Sequence, residues 1–274
     1  MQVVSALVDG QYREWTLPNE DEEVVPGVRW GRADEVPSPA YWAALALMRP
    51  GWDGAFVSHS GTLAEEVAFC ILGGFGVTAE LGQAAFERLR DLGLLTPSPN
   101  ADHTPIEAAL MAPLSVAGRQ VRYRFPRQRA ARLAIAMREL HQAPPSEDDP
   151  LAFRNALLRI PGIGPKTASW VARNWLGTDD VAILDIHILR ACRVIGVIED
   201  TWTLPRDYAA LERRFLAFAT GIGVPASVLD AIMWTQMRIL GVPETPHTRP
   251  KMADTSVSKD ILPKMHGSEV LFNT

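Results

Sequence analysis

The chain has 274 residues, enough for one large or two small domains around a buried core. Its 47% hydrophobic and 22% charged content is that of an ordinary globular protein, and no apolar run nears the ~18 residues a membrane span needs. The net charge of −5 sits in residues 1–36, with eight acids and three bases, so the rest is neutral and a polyanionic partner is only weakly disfavoured.

The N-terminus has neither the basic nor the apolar region of a secretory signal, so a cytoplasmic location is expected. Only Cys70 and Cys192 occur, both inside apolar helical patterns; two buried thiols are the favoured reading over a long-range disulfide. The six histidines show no metal-ligand spacing, and no metal or other cofactor is expected.

Residues 1–18 alternate around the turn dipeptide Asp9-Gly10 and predict a short β-hairpin. Asn19 to Glu23 is an acidic loop, either a solvated surface or a face that repels a polyanion. Residues 26–37 are rich in Gly and Pro and read as irregular. Helical periodicity begins at Pro39 and runs to Met48, where Arg49-Pro50-Gly51 breaks it. A buried helix follows from Thr62, with Thr62 and Glu65 spaced as a capping box. Further helices are expected over 80–92 and 105–114.

Gly118 to Arg132 holds six Arg and no acid, the densest basic stretch in the chain. Two readings stay open: a solvated helix start, or a contact to a nucleic-acid backbone through Arg122, Arg124, Arg127 and Arg129, interleaved with Tyr123 and Phe125. Beyond the linker 141–149, Asp149-Pro150 is a strong helix start and Pro161-Gly162 a strong stop. Pro165 then opens a second helix that Gly177 ends. Helix, Gly-rich turn and helix leave backbone N–H groups of the turn beside a helix N-terminus, an arrangement that binds phosphate without reading bases. Asp185 heads the next helix, and helices are expected over 207–219 and 225–240; from Pro243 the chain reads as a flexible tail.

Pro161-Gly162-Ile163-Gly164-Pro165-Lys166-Thr167-Ala168, followed by Leu184-Asp185-Ile186-His187, resembles the signature of the helix-hairpin-helix DNA glycosylase superfamily. The resemblance spans residues 62–240. In its bifunctional members a nucleophilic Lys stands two residues after the last hairpin Gly, as Lys166 does after Gly164. A catalytic Asp heads the next helix, and the separation of 19 residues from Lys166 to Asp185 is that of the 8-oxoguanine glycosylase branch. Val228 to Trp234 is similar to the Asp-x-x-x-Trp helix of archaeal and bacterial members of that branch. The acidic N-terminal segment and the C-terminal tail depart from the commonest pattern. Two cysteines cannot build the four-Cys iron–sulfur cluster of the endonuclease III and adenine-glycosylase branches.

The resemblance implies a mainly α fold of two helical subdomains with a short N-terminal β-hairpin segment. The expected division is 1–60 for the N-terminal segment, 61–242 for the glycosylase domain and 243–274 for the tail, with the hairpin over 150–177. It implies base-excision repair of double-stranded DNA holding a damaged base: removal of oxidised guanine, then AP-lyase cleavage through a Lys166 Schiff base. A monomer at the nucleoid, with no membrane partner, is expected. Asp185 becomes the electrostatic stabiliser, even where it also caps its helix. Gly162 and Gly164 contact DNA through backbone amides, and His187 orients backbone or meets a phosphate. Asp230 becomes the acceptor for the guanine N1–H and N2–H edge, with Trp234 four residues on to stack against the base. The alternatives are a glycosylase for another modified purine, a lyase acting mainly on abasic sites, and a non-enzymatic hairpin module that needs neither Lys166 nor Asp185.

Overall fold

The structure, a computed structural model, describes residues 1–48, 61–74 and 76–240. The breaker expected at Arg49-Pro50-Gly51 and the tail expected over 243–274 lie outside the described residues. Strands β1 (Gln2–Val8) and β2 (Gln11–Leu17) pair antiparallel from Gln2↔Leu17 to Val8↔Gln11. Asp9 and Gly10 both take positive φ, 51° and 75°, as the two-residue turn of a right-twisted hairpin requires. A second small hairpin spans the end of the acidic loop and the start of the region read as irregular: β3 (Glu23–Val25) with β4 (Val28–Arg29), turned at Pro26-Gly27. Strands of two and three residues are too short to show alternation, which is why the pattern missed them.

Helix α1 (Pro39–Met48) follows, and α2 (Leu63–Leu72) starts on the expected capping box: Glu65 N–H donates to Thr62 Oγ1 at 3.2 Å, and Thr62 N–H to Glu65 Oε2 at 2.7 Å. Next come α3 (Ala79–Asp91) and α4 (His103–Met111). The basic stretch does not begin as a helix. Its first residues form β6 (Arg119–Val121), paired with β5 (Leu114–Val116) around Ala117-Gly118, both at positive φ; α5 (Pro126–Gln142) starts only at Pro126.

Then α6 (Pro150–Leu157) and α7 (Pro165–Leu176) form the hairpin, with Asp149 capping α6 and Gly177, at φ 64°, ending α7. Helices α8 (Ile186–Val194), α9 (Tyr208–Ile222) and α10 (Ala226–Leu240) complete the described chain. Among the described residues no single helix is long and apolar enough to cross a membrane.

The apolar side chains gather into two cores. One is built by α2–α7, through Leu72, Leu89, Leu133, Met137, Phe153 and Val171 among others. The other joins the N-terminal hairpins and α1 to α8–α10, through Val4, Leu17, Trp42, Ile188, Phe215 and Leu229. The connection between α7 and α8 passes from one to the other: Val181 belongs to the first, Ala182 and Leu184 to the second. These are the two helical subdomains, and Asp185 heads α8 just beyond the crossing between them.

Candidate active site

Lys166 and Asp185 are brought together by two local rules. Pro165 fits the first position of α7, where a missing N–H is no loss, so Lys166 projects from the first helical turn. Asp185 caps α8: its Oδ1 accepts from His187 N–H at 2.8 Å and Ile188 N–H at 3.1 Å. That fixes the carboxylate and leaves Oδ2 toward Lys166, whose Nζ is 3.8 Å away. The Asp185 side chain is 13% exposed and that of Lys166 37%, so the pair opens to solvent on the amine side. At this distance the groups attract without being locked in a tight hydrogen bond. An amine that can approach an electrophile beside a held anion suits a nucleophile and a stabiliser of developing positive charge. His187 contributes its backbone N–H to this geometry.

The hairpin turn is shaped for close approach. Gly162 has φ +92°, and a Cβ there would stand 2.8 Å from the Arg132 side-chain carbons, so a side chain is excluded twice. Gly164 is different: a Cβ would meet nothing within 4 Å. It is the N-cap of α7 and offers no side-chain cap, whereas Thr62, Thr78, Asp102, Asp149 and Asp185 cap their own helices. The first-turn N–H groups of α7 are therefore left for a partner outside the helix.

The basic stretch divides by partner. Arg127 pairs with Glu107 at 3.1 Å, and Arg129 donates to the Gly73 carbonyl at 3.3 Å, its pKa lowered by burial. Arg124 lies over the Phe125 ring at 5.0 Å and Arg122 is exposed. Tyr123 is buried with its hydroxyl donating to the Leu72 carbonyl at 2.5 Å, so it is a core residue. Arg132, at the end of the stretch, is the one that lies against the hairpin turn.

Asp230 and Trp234, placed on one face by sequence, differ in surroundings. Trp234 is 39% exposed, with the Arg238 guanidinium 4.4 Å from its ring centroid. Asp230 is buried; its Oδ1 accepts from Arg173 Nη1 and its Oδ2 from Ile183 N–H at 3.3 Å. Burial raises its pKa, with Arg173 opposing the rise.

Sequence reasoning missed what surrounds Asp230. Glu212 accepts from Arg154 at 2.8 Å, from Ser169 at 3.2 Å and from Ala182 N–H at 3.0 Å. The Tyr208 hydroxyl donates to the Ala182 carbonyl at 2.6 Å and accepts from Leu184 N–H at 3.3 Å. It also missed Trp170, one turn along α7 from Lys166. Trp170 lines a cleft of about 440 Å³ between α2, α3 and α7 with Phe69, Phe86 and Arg90. The i, i+4 spacing from Lys166 was the available signal.

Comparison with known proteins bears on the same region. A family model of 8-oxoguanine DNA glycosylases of the helix-hairpin-helix type matches residues 56–224. The 8-oxoguanine DNA glycosylase/AP lyase of Saccharolobus islandicus is 32% identical over 122 residues, which cover 41% of this chain and 58% of that protein. The chain thus spans less than two thirds of that relative's length. The crystal structure of the Methanocaldococcus jannaschii 8-oxoguanine DNA glycosylase is similar at 31% identity and TM-score 0.51, covering 64% of this chain and 77% of that one. The same organism's 8-oxoguanine glycosylase/lyase, solved in complex with a 15mer DNA containing 8-oxoguanine, is similar at 27% identity and TM-score 0.50, covering 70% and 88%. The hairpin, the crossing and the core built by α2–α7 fall within the matched residues, while β1–β4, α1 and α10 of the other core lie outside them; the chain belongs to the 8-oxoguanine DNA glycosylase family.

Proposed function

We propose that this protein is a bifunctional DNA glycosylase and AP lyase that removes 8-oxoguanine from duplex DNA. The observation that carries the reading is the Lys166–Asp185 pair, 3.8 Å apart, with one carboxylate oxygen spent on capping and the other facing the amine. Neutral Lys166 attacks C1′ as the C1′–N bond to the base breaks, while Asp185 stabilises the positive charge that develops on the sugar. Sugar opening gives an imine between Nζ and C1′; loss of a C2′ proton then expels the 3′ phosphate and nicks the strand. The base is extruded from the duplex. Its place is the cleft beside α7 or the exposed ring of Trp234, both of which offer an aromatic surface.

The test is a panel of duplexes, each carrying one lesion, scored for base release, nicking and trapping by borohydride. Release and nicking at 8-oxoguanine above every other lesion is the expected result. Preference for another purine moves the assignment to that base; cleavage of abasic duplexes alone leaves only the lyase; binding without either reaction leaves a docking module.

DNA docking is proposed through the uncapped N-terminus of α7, with Gly162, Gly164 and His187 around it and the exposed part of the basic stretch alongside. Replacing Arg122 and Arg124 by Ala should lower the slope of log affinity against log salt by about one unit per lost phosphate contact. Arg129, half-buried and held by the Gly73 carbonyl, should change that slope less. Binding titrations across salt concentrations check this, and an unchanged slope for Arg122 and Arg124 removes them from the interface.

A further inference from the structure

Three consecutive backbone N–H groups lead into Asp185, and each is taken by a different buried side chain. Ala182 donates to Glu212, Ile183 to Asp230 and Leu184 to Tyr208. Glu212 and Tyr208 lie on α9, Asp230 on α10. The same two carboxylates also hold the helices of the hairpin: Arg154 on α6 and Ser169 on α7 reach Glu212, and Arg173 on α7 reaches Asp230. Arg173 extends the connection to Asn174, which donates to Glu66 on α2 at 2.8 Å. Helix α7 carries Lys166, so the helix of the amine and the segment that delivers the carboxylate are tied to the same two acids.

Two buried ion pairs between the same subdomains are poor candidates for stability alone, because apolar residues of similar volume often stabilise as well or better. What charged pairs supply that apolar packing does not is direction. Each carboxylate has one oxygen fixed by a backbone N–H of the segment 182–184 and a guanidinium fixed on the hairpin side. A slip of the segment along its own axis breaks these bonds together, whereas apolar contacts tolerate it.

We propose that Glu212 and Asp230 are positioning residues that set where Asp185 stands relative to Lys166, by bonding at once to the hairpin helices and to the backbone leading into Asp185. This rests on the glycosylase/lyase reading, and it gives Asp230 a different task from contact with the extruded base. Displacing one reacting group by about 1 Å costs about 100-fold in rate, so the effect belongs in the reaction steps and not in DNA affinity.

The test uses the full chain carrying Asp230→Asn, Asp230→Leu, or the double change Arg173→Met with Asp230→Leu, which removes both charges of that pair. Single-turnover rates at saturating protein are measured on an 8-oxoguanine duplex and on a pre-formed abasic duplex, with affinity for a duplex holding a stable abasic analogue and the melting temperature alongside. The double variant should melt near the wild type and bind normally, yet lose about 100-fold on both substrates. Asp230→Asn, which keeps an acceptor for Ile183 N–H, should lose less than Asp230→Leu. Loss confined to the 8-oxoguanine duplex would make Asp230 a base reader and overturn the proposal, as would wild-type rates in a folded double variant. Rate losses that track melting temperature across the three variants overturn it too, leaving a purely structural pair. If the wild type acts on no duplex, the function reading fails on its own. The crystal structure of the double variant then decides the placement: a shifted Asp185 carboxylate supports it and an unmoved 3.8 Å approach to Lys166 rejects it.

Discussion

Lys166→Gln is expected to abolish covalent trapping of the protein on an 8-oxoguanine duplex by borohydride. The amide is one methylene shorter but keeps the side chain polar, and it has no lone pair fit to attack C1′, so no imine forms and nothing is left for borohydride to reduce. Nicking should fall on the order of 10³-fold or more, the scale on which loss of a nucleophile acts. Binding should survive, since the uncapped end of α7 and the exposed arginines are untouched. The measurement is a denaturing gel for trapped and nicked species beside a binding titration. Trapping at the wild-type rate would show that another amine attacks the sugar and that the Lys166 assignment is wrong.

Asp185→Asn separates the two tasks of that residue. Asn caps helices about as well as Asp, so α8 should keep its first turn, with the side-chain oxygen still accepting from His187 and Ile188. What is lost is the negative charge facing Lys166. Base release should fall on the order of 10²–10³-fold, as when a preorganised electrostatic group is removed from a transition state, while any adduct that forms still maps to Lys166. Asp185→Ala removes the cap as well and should cost about a further 1 kcal/mol of stability. Single-turnover excision and thermal melting of both variants check this. Equal excision by Asp185→Asn and wild type would reduce Asp185 to a helix cap.

The parts of the site legible in the sequence are those governed by rules a few residues long. Pro165 at the head of α7, Asp149 and Asp185 as caps and Gly177 as a left-handed stop are each decided locally. That is enough to place Lys166 and Asp185 at two helix starts. The spacing between them then carried the family resemblance. Asp230 shows where this reasoning ends. Its i, i+4 relation to Trp234 gives a shared helix face but not whether that face is buried, and α10 runs across the edge of a core. Its partner Arg173 lies 57 residues away and Arg154 lies 58 from Glu212, separations without local trace. The basic stretch behaved the same way. Its charge density was plain, but that Arg129 turns inward depended on the Gly73 carbonyl, supplied by another element.

The crossing between the cores also orders the assembly of the chain. Helices α2–α7 are contiguous in sequence and can bury their shared apolar residues as soon as they exist. The other core joins residues near the start of the chain, Val4, Leu17 and Trp42, to Phe215 and Leu229 near the end of the described part. Its loop closes over the whole intervening subdomain, which is entropically dear and slow. In a chain made from its N-terminus, the first hairpin, Trp30 and Trp42 must wait unburied while the hairpin subdomain forms behind them. The acidic run of residues 19–23, between the two N-terminal hairpins in sequence, sets like charge beside the apolar surface that waits, the kind of flank that disfavours contact between neighbouring chains.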